Sequence, residues 1–198
     1  MDRDYSIEFP NIIGGENGDK IKNLIDYDFN DNRTVWLSGT LDDPMDGVKI
    51  SIAINYLSSI SKDDITLKIS HYGGNIDTMW IIINAMNRSR CDFRTEIHGE
   101  ALSAAAKIFI NGTPGKRYMT PNSFLMFHEC LWSTSYDSHS KNMNIIKNYH
   151  EVNFNNVVNF ISDKSGRSIK EVKQWLKEDK WFTPEDAINL GLCDKILK

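Results

Sequence analysis

Residues 65–86 read ITLKISHYGGNIDTMWIIINAM. In the first half Ile65, Leu67 and Ile69 alternate with polar residues, the two-residue period of a half-buried strand. In the second half Ile76, Met79, Trp80, Ile83 and Met86 recur at three- and four-residue spacing, the stripe of an amphipathic helix. Between them stand Gly73 and Gly74, a pair whose freedom at positive φ permits a sharp strand-to-helix turn. The same succession lies on both sides. Upstream, Val35 and Leu37 alternate, stop at Ser38-Gly39, and give way to Ile50, Ala53, Ile54, Leu57 and Ile60 at helical spacing. Downstream, a third strand is predicted near Arg94–His98, leading through Gly99 into a small-residue helix around Ser103–Ile110. Strand–helix alternation of this kind predicts an α/β fold with largely parallel pairing.

Beyond a Gly112–Gly115 turn, short strands are predicted near Arg117–Met119 and at Phe124–Phe127. Ile146, Tyr149, Phe154, Val157 and Ile161 mark one long helix ending at Ser165-Gly166. Ser168 with Glu171 has capping-box spacing for a further helix through Leu176, and Thr183-Pro184 opens the last, which stops at Gly191. Residues 1–33 carry little periodic pattern and are expected to form an irregular arm, with one domain over 34–198.

The 198 residues suit one domain, and 40% hydrophobic with 25% charged residues supply a core without a disorder signature. A net charge of −4 argues against nucleic acid as a partner. No apolar run approaches the roughly 18 residues of a membrane span, and Met1 to Asp19 shows no signal region. The expectation is a soluble, cytoplasmic chain. Cys91, Cys130 and Cys193 form no CxxC pair, and the five histidines have no metal-ligand spacing, so no metal site is expected.

Three places can carry chemistry. In His71-Tyr72-Gly73-Gly74-Asn75, backbone N–H groups at a glycine turn can hold a developing oxyanion, although an ordinary tight turn reads the same way. In Gly99-Glu100-Ala101-Leu102-Ser103-Ala104-Ala105-Ala106, a serine at a helix opening, crowded by small residues, suits a nucleophile or a packed cap. In Met126-Phe127-His128-Glu129-Cys130 a histidine ends an apolar strand, as a base or as a hydrogen-bonded structural residue.

Together the three resemble the proteolytic subunit of the Clp protease, the ClpP-type serine peptidases. In that family a Pro-Gly-Gly turn precedes a Gly-Gln-Ala-Ala-Ser nucleophile motif, and the base follows in Met-Ile-His-Gln-Pro. The separations here, 29 residues from 74 to 103 and 25 from 103 to 128, need no gap against that pattern. Gly115-Lys116-Arg117 and Pro121-Asn122-Ser123 also stand as in the family, and the resemblance runs from about Arg33 to Leu197. It implies a ClpP/crotonase-like spiral of β/α units with a long handle helix. It further implies Ser103 as nucleophile, His128 as general base, and the N–H groups of Gly74 and Ala104 as the oxyanion hole. It implies heptameric rings stacked as a tetradecamer around enclosed active sites, with an AAA+ Clp-type ATPase threading unfolded protein substrates inward. No cofactor is implied; ATP would be consumed by the partner.

Three departures qualify the match. The aspartate that orients the histidine in the family aligns with Trp175, which cannot accept from an imidazole N–H. Asp179, one helical turn on, is one candidate replacement; a backbone carbonyl or water, or a poorly active site, are the others. Lys107, four residues after Ser103, replaces an apolar residue, and the simplest expectation is a packed stem with its ammonium in water rather than a serine–lysine dyad. Cys130, Trp132 and Tyr136 replace a proline and a glycine-rich stretch that in the family aligns substrate as an added strand, and aromatic residues there would reshape the groove. The competing functions are a weakly active or non-catalytic ring subunit, a phage capsid-processing protease, and an acyl-CoA-processing relative that shares the spiral fold.

Overall fold

The computed structural model describes residues 28–129 and 140–197. The chain first runs through β1 (Thr34–Leu41), α1 (Pro44–Ile60), β2 (Ile65–Gly74), α2 (Ile76–Arg88), β3 (Phe93–Leu102) and α3 (Ala104–Ile110). It continues with β4 (Arg117–Met119), β5 (Phe124–Phe127), α4 (Ser140–Ser165), α5 (Ile169–Lys177), β6 (Lys180–Phe182), α6 (Pro184–Asn189) and β7 (Lys195–Ile196). Residues 1–27 of the expected arm lie outside the described residues. At residue 28 the Asp28 carboxylate accepts the Trp36 indole N–H at 2.7 Å, which ties the segment before β1 to that strand.

The predicted β/α alternation is realised as a sheet ordered β1-β2-β3-β4-β7, parallel throughout. On β2 the apolar alternation points Ile65, Leu67 and Ile69 into the core, where they are wholly buried. α1 and α2 pack on one another, Ile54, Leu57, Ile82 and Ile83 facing inward. Asn75 caps α2, its Oδ1 accepting from the N–H groups of Asp77 and Thr78 at 2.7 and 3.2 Å. Both predicted capping boxes form, Ser168 with Glu171 and Thr183 with Asp186.

β3 departs from the expected strand, which would end near Gly99. It continues to Leu102, because Gly99 takes φ +103° and forms a bulge instead of a stop. Opposite it the register with β2 jumps from Ile69↔Ile97 to His71↔Ala101. The bulge makes β3 fork. Thr95–Ile97 pair with β4, while Glu100–Leu102 pair with β5. β6, three residues long and too short to show a period, pairs antiparallel with β5 and completes a layer beside the nucleophile segment. In α4, which is longer than the periodic stripe that predicted it, Val157, Val158 and Ile161 are buried, whereas Ile145, Tyr149 and Val152 are exposed nearer its start. Among the described residues no helix is long and apolar enough to cross a membrane.

The C-terminal end is locked to β4 by one carboxylate. Asp194 accepts from the N–H groups of Gly115 and Arg117 at 2.8 and 2.9 Å and from the Arg117 guanidinium at 3.0 and 2.6 Å. Burial would raise the Asp194 pKa, but the hydrogen bonds and charge of Arg117 outweigh it and hold the carboxyl below its usual range. Removing it would leave the buried Arg117 charge unpaired. Asp194→Ala is therefore expected to cost about 2–3 kcal/mol of stability, read as a lower urea midpoint. With the folded pKa depressed, the Asp194 contribution is full above the unfolded carboxylate value near ~4 and is lost as pH falls through the folded one.

Candidate active site

Ser103 stands where β3 passes into α3, at φ +54° and ψ −117°, one of three non-glycine residues at positive φ among the described residues. Such backbone costs about 1–3 kcal/mol, and a serine held this way on a strand-to-helix turn has its hydroxyl turned out of the helix. The Ser103 side chain makes no capping hydrogen bond, so the bland reading of this residue as a cap does not describe it.

Two contacts hold this conformation. The Ser103 N–H donates to the Met126 carbonyl at 2.9 Å, which ties the serine to β5 two residues before His128. On the other side lies the glycine turn at the end of β2. A Cβ on Gly73 would stand 2.6 Å from the Leu102 carbonyl oxygen, 2.8 Å from Ser103 Cβ and 3.0 Å from the Ala104 nitrogen. Gly73, at φ +97°, is thus required both by its conformation and by the close approach of its backbone to the serine turn. Gly74 abuts Leu41 of β1 in the same way, at 2.6 Å to its carbonyl oxygen. Gly74 and Ala104, expected as oxyanion donors, therefore lie in the two backbone segments that meet at Ser103.

In the sequence His71 stands only as part of the glycine motif, yet its ring builds the turn. Its Nδ1 accepts the Gly73 N–H at 2.9 Å, inside the protein at 2% exposure. Desolvation lowers the His71 pKa despite the opposing charges of Asp42 and Asp46, which favours the neutral ring whose Nδ1 can accept. No local pattern in the sequence announces this bond, because it depends on burial.

His128 follows β5 and is bracketed by anchors. Met126 holds Ser103, and the Glu129 N–H donates to the Leu176 carbonyl of α5 at 2.9 Å. Beneath the histidine strand, Trp175 stacks on Phe127 with ring centroids 6.5 Å apart and meets Phe182 edge-on at 5.2 Å. Trp175 is thus an aromatic packing residue. Asp179, in the turn after α5 at φ +48°, exerts its charge on the His128 ring, and so does Lys107. Burial first, then Lys107, hold the imidazole below its ordinary pKa, with Asp179 pulling upward. Among the described residues no hydrogen bond joins Ser103 Oγ to His128, or His128 to Asp179; catalytic bonds are often long in an unliganded site and tighten around substrate.

The expectation for Lys107 is overturned. It is 1% exposed, not a stem with its ammonium in water, because every residue of α3 is enclosed by β2, β3 and neighbouring helices. The segment with Cys130, Trp132 and Tyr136 lies outside the described residues. Among the described residues no group of three or more His, Cys, Asp or Glu gathers to hold a metal.

The Clp protease family matches residues 16–198. The chain belongs to that family, a family of serine endopeptidases. The chain is 27% identical over 166 residues to an ATP-dependent Clp protease proteolytic subunit of Streptococcus salivarius, covering 84% of this chain and 85% of that one. Proteins of the same description from Streptococcus suis and Streptococcus pneumoniae are 26% identical over the same length and the same shares. The family assignment and the spiral α/β architecture agree.

Because Gly73 has no room for a methyl group against the serine turn, Gly73→Ala is expected to lower peptidase kcat at least ~100-fold. The measurement is turnover of a small fluorogenic peptide by protein whose circular dichroism matches the wild type.

Proposed function

We propose that the chain is a self-compartmentalising serine endopeptidase that cleaves unfolded polypeptides. The observation that carries the reading is the strained Ser103, wedged against Gly73 and tethered to Met126, two residues before His128. Ser103 Oγ attacks the scissile carbonyl carbon while His128 takes its proton. The oxyanion is held by the N–H groups of Gly74 and Ala104. The imidazolium then gives the proton to the leaving amine, which departs as the C–N bond breaks. A water, deprotonated by His128, attacks the acyl-enzyme ester; the ester C–O bond then breaks as the imidazolium returns the proton to Ser103 Oγ, freeing the new carboxyl end. Asp179, whose charge favours the imidazolium, takes the part of the third triad member.

The relatives' description as proteolytic subunits supports assembly with an ATPase. In the proposed particle two heptameric rings stack as a tetradecamer, an AAA+ Clp-type partner feeds the chamber, and the assembly works in the cytoplasm. The exposed apolar residues Ile145, Tyr149 and Val152 on α4 and Ile52, Tyr56 and Ile60 on α1 suit subunit contacts. A non-catalytic ring subunit is the second reading, motivated by Trp175 at the aspartate position.

Ser103→Ala is expected to abolish fluorogenic peptide turnover and covalent labelling by a fluorophosphonate. Equal turnover or equal labelling in the variant would remove Ser103 from the mechanism, and absence of both in the assembled wild type would favour the second reading. Ile145→Asp with Val152→Asp is expected to reduce the sedimenting mass by at least half, to single rings or smaller species, in analytical ultracentrifugation.

A further inference from the structure

Behind the glycine turn, β1 breaks step. Its register with β2 shifts between Gly39 and Leu41, and Gly39 takes φ +90° with nothing within 4 Å of where a Cβ would stand. The residues on either side of Gly39 line a cavity of about 230 Å³. Leu37, Leu41 and Ile50 give it apolar walls, while Asp46 and Lys49 of α1 and buried His71 of β2 give it polar groups. Because His71 Nδ1 accepts the Gly73 N–H at 2.9 Å, the ring hydrogen stands on Nε2, a donor. Among the described residues that Nε2 has no hydrogen-bond partner, and a buried donor is costly to leave unmet. Nearby, Asp42 Oδ2 already accepts the Thr40 hydroxyl at 2.7 Å. Asp46 and Lys49 stand 3.8 Å apart, beyond hydrogen-bond distance, so each keeps a charge to offer a ligand.

We propose that this cavity is an effector site for a free α-amino acid with an apolar side chain, read by His71 Nε2–H, Lys49 and Asp46. The volume lies below the roughly 300–1,000 Å³ of pockets for drug-sized ligands, which excludes a nucleotide or a large cofactor. The ligand carboxylate accepts from His71 Nε2 and Lys49, and its side chain displaces water from Leu37, Leu41 and Ile50. A simple anion would meet the Asp46 carboxylate unpaired; an ammonium on the same molecule pairs with it, so the two rim charges select a zwitterion. Hydrolysis of released peptides from their ends is the class of reaction that supplies such a ligand. The site reaches the serine through one residue. A carboxylate on Nε2–H polarises the ring and makes Nδ1 a stronger acceptor, which holds the Gly73 N–H more firmly against the Ser103 turn. Any consequence for turnover rests on the reading of Ser103 as nucleophile; the binding does not.

The test is titration calorimetry of the full-length Ser103→Ala chain with L-leucine, with L-leucinamide, which lacks the carboxylate, and with isocaproate, which lacks the ammonium. Leucine is expected to bind saturably at one site per chain, and each of the other two at least ~10-fold more weakly. Lys49→Met, a change at an exposed position, is expected to weaken leucine at least ~10-fold, and Ile50→Trp, which fills the cavity, to abolish its binding. No leucine binding, equal binding of isocaproate, or leucine binding untouched by both variants would overturn the proposal, the last because it places the ligand elsewhere, as in the peptide groove. A second measurement follows the Gly73 amide by hydrogen exchange and mass spectrometry. Leucine is expected to slow that exchange in the Ser103→Ala chain and not in the same chain carrying Lys49→Met; exchange unchanged by bound leucine overturns the link to the serine turn. Neither measurement needs turnover, so failure of this site is distinguishable from failure of the serine assignment, which the Ser103→Ala peptidase control decides.

Discussion

The approach of the Gly73 backbone to Ser103 is the constraint on which the site depends. Three elements meet there: the end of β2, the end of β3 and the first turn of α3. Each is held from behind. Buried His71 fixes the Gly73 N–H, the Gly99 bulge lets β3 carry on past its pairing with β4, and Met126 accepts the serine N–H. A side chain at Gly73 would push against backbone atoms, which cannot swing away as a flexible side chain can. The cost of Ser103 at positive φ is offset by packing on both sides, the arrangement by which a core stores strain at a reactive residue.

Electrostatics around the histidine depart from a simple triad. A triad places a carboxylate on the imidazole so that the imidazolium is favoured. Here burial is the largest influence on the ring and lowers its pKa, with the charge of Asp179 pulling the other way. Trp175 packs with Phe127 and Phe182 in an aromatic cluster. That cluster packs around Phe127, the last residue of the strand that leads into His128.

Much of this was legible along the chain because it is local. The two-residue alternation of Ile65, Leu67 and Ile69, the helical stripe ending at Met86, and the Ser168–Glu171 and Thr183–Asp186 boxes each depend on residues within a few positions. Likewise the spacing of Gly74, Ser103 and His128 is a linear property, and it sufficed to identify the family that matches residues 16–198. Even so, Gly99 misled as a strand end, since a glycine that stops a strand and one that bulges it look alike in one dimension.

From the sequence alone came the β/α order, the principal helices and the motif triad, because periodicity and spacing are written in neighbouring residues. Tertiary structure alone decided the fork of β3, the short strands β6 and β7, the φ of Ser103, the bond from Gly73 to His71 and the burial of Lys107. Each of these depends on segments distant in the chain. A lysine on a seven-residue helix is a surface residue or a buried charge according to what packs over it, and that is a property of the assembled fold.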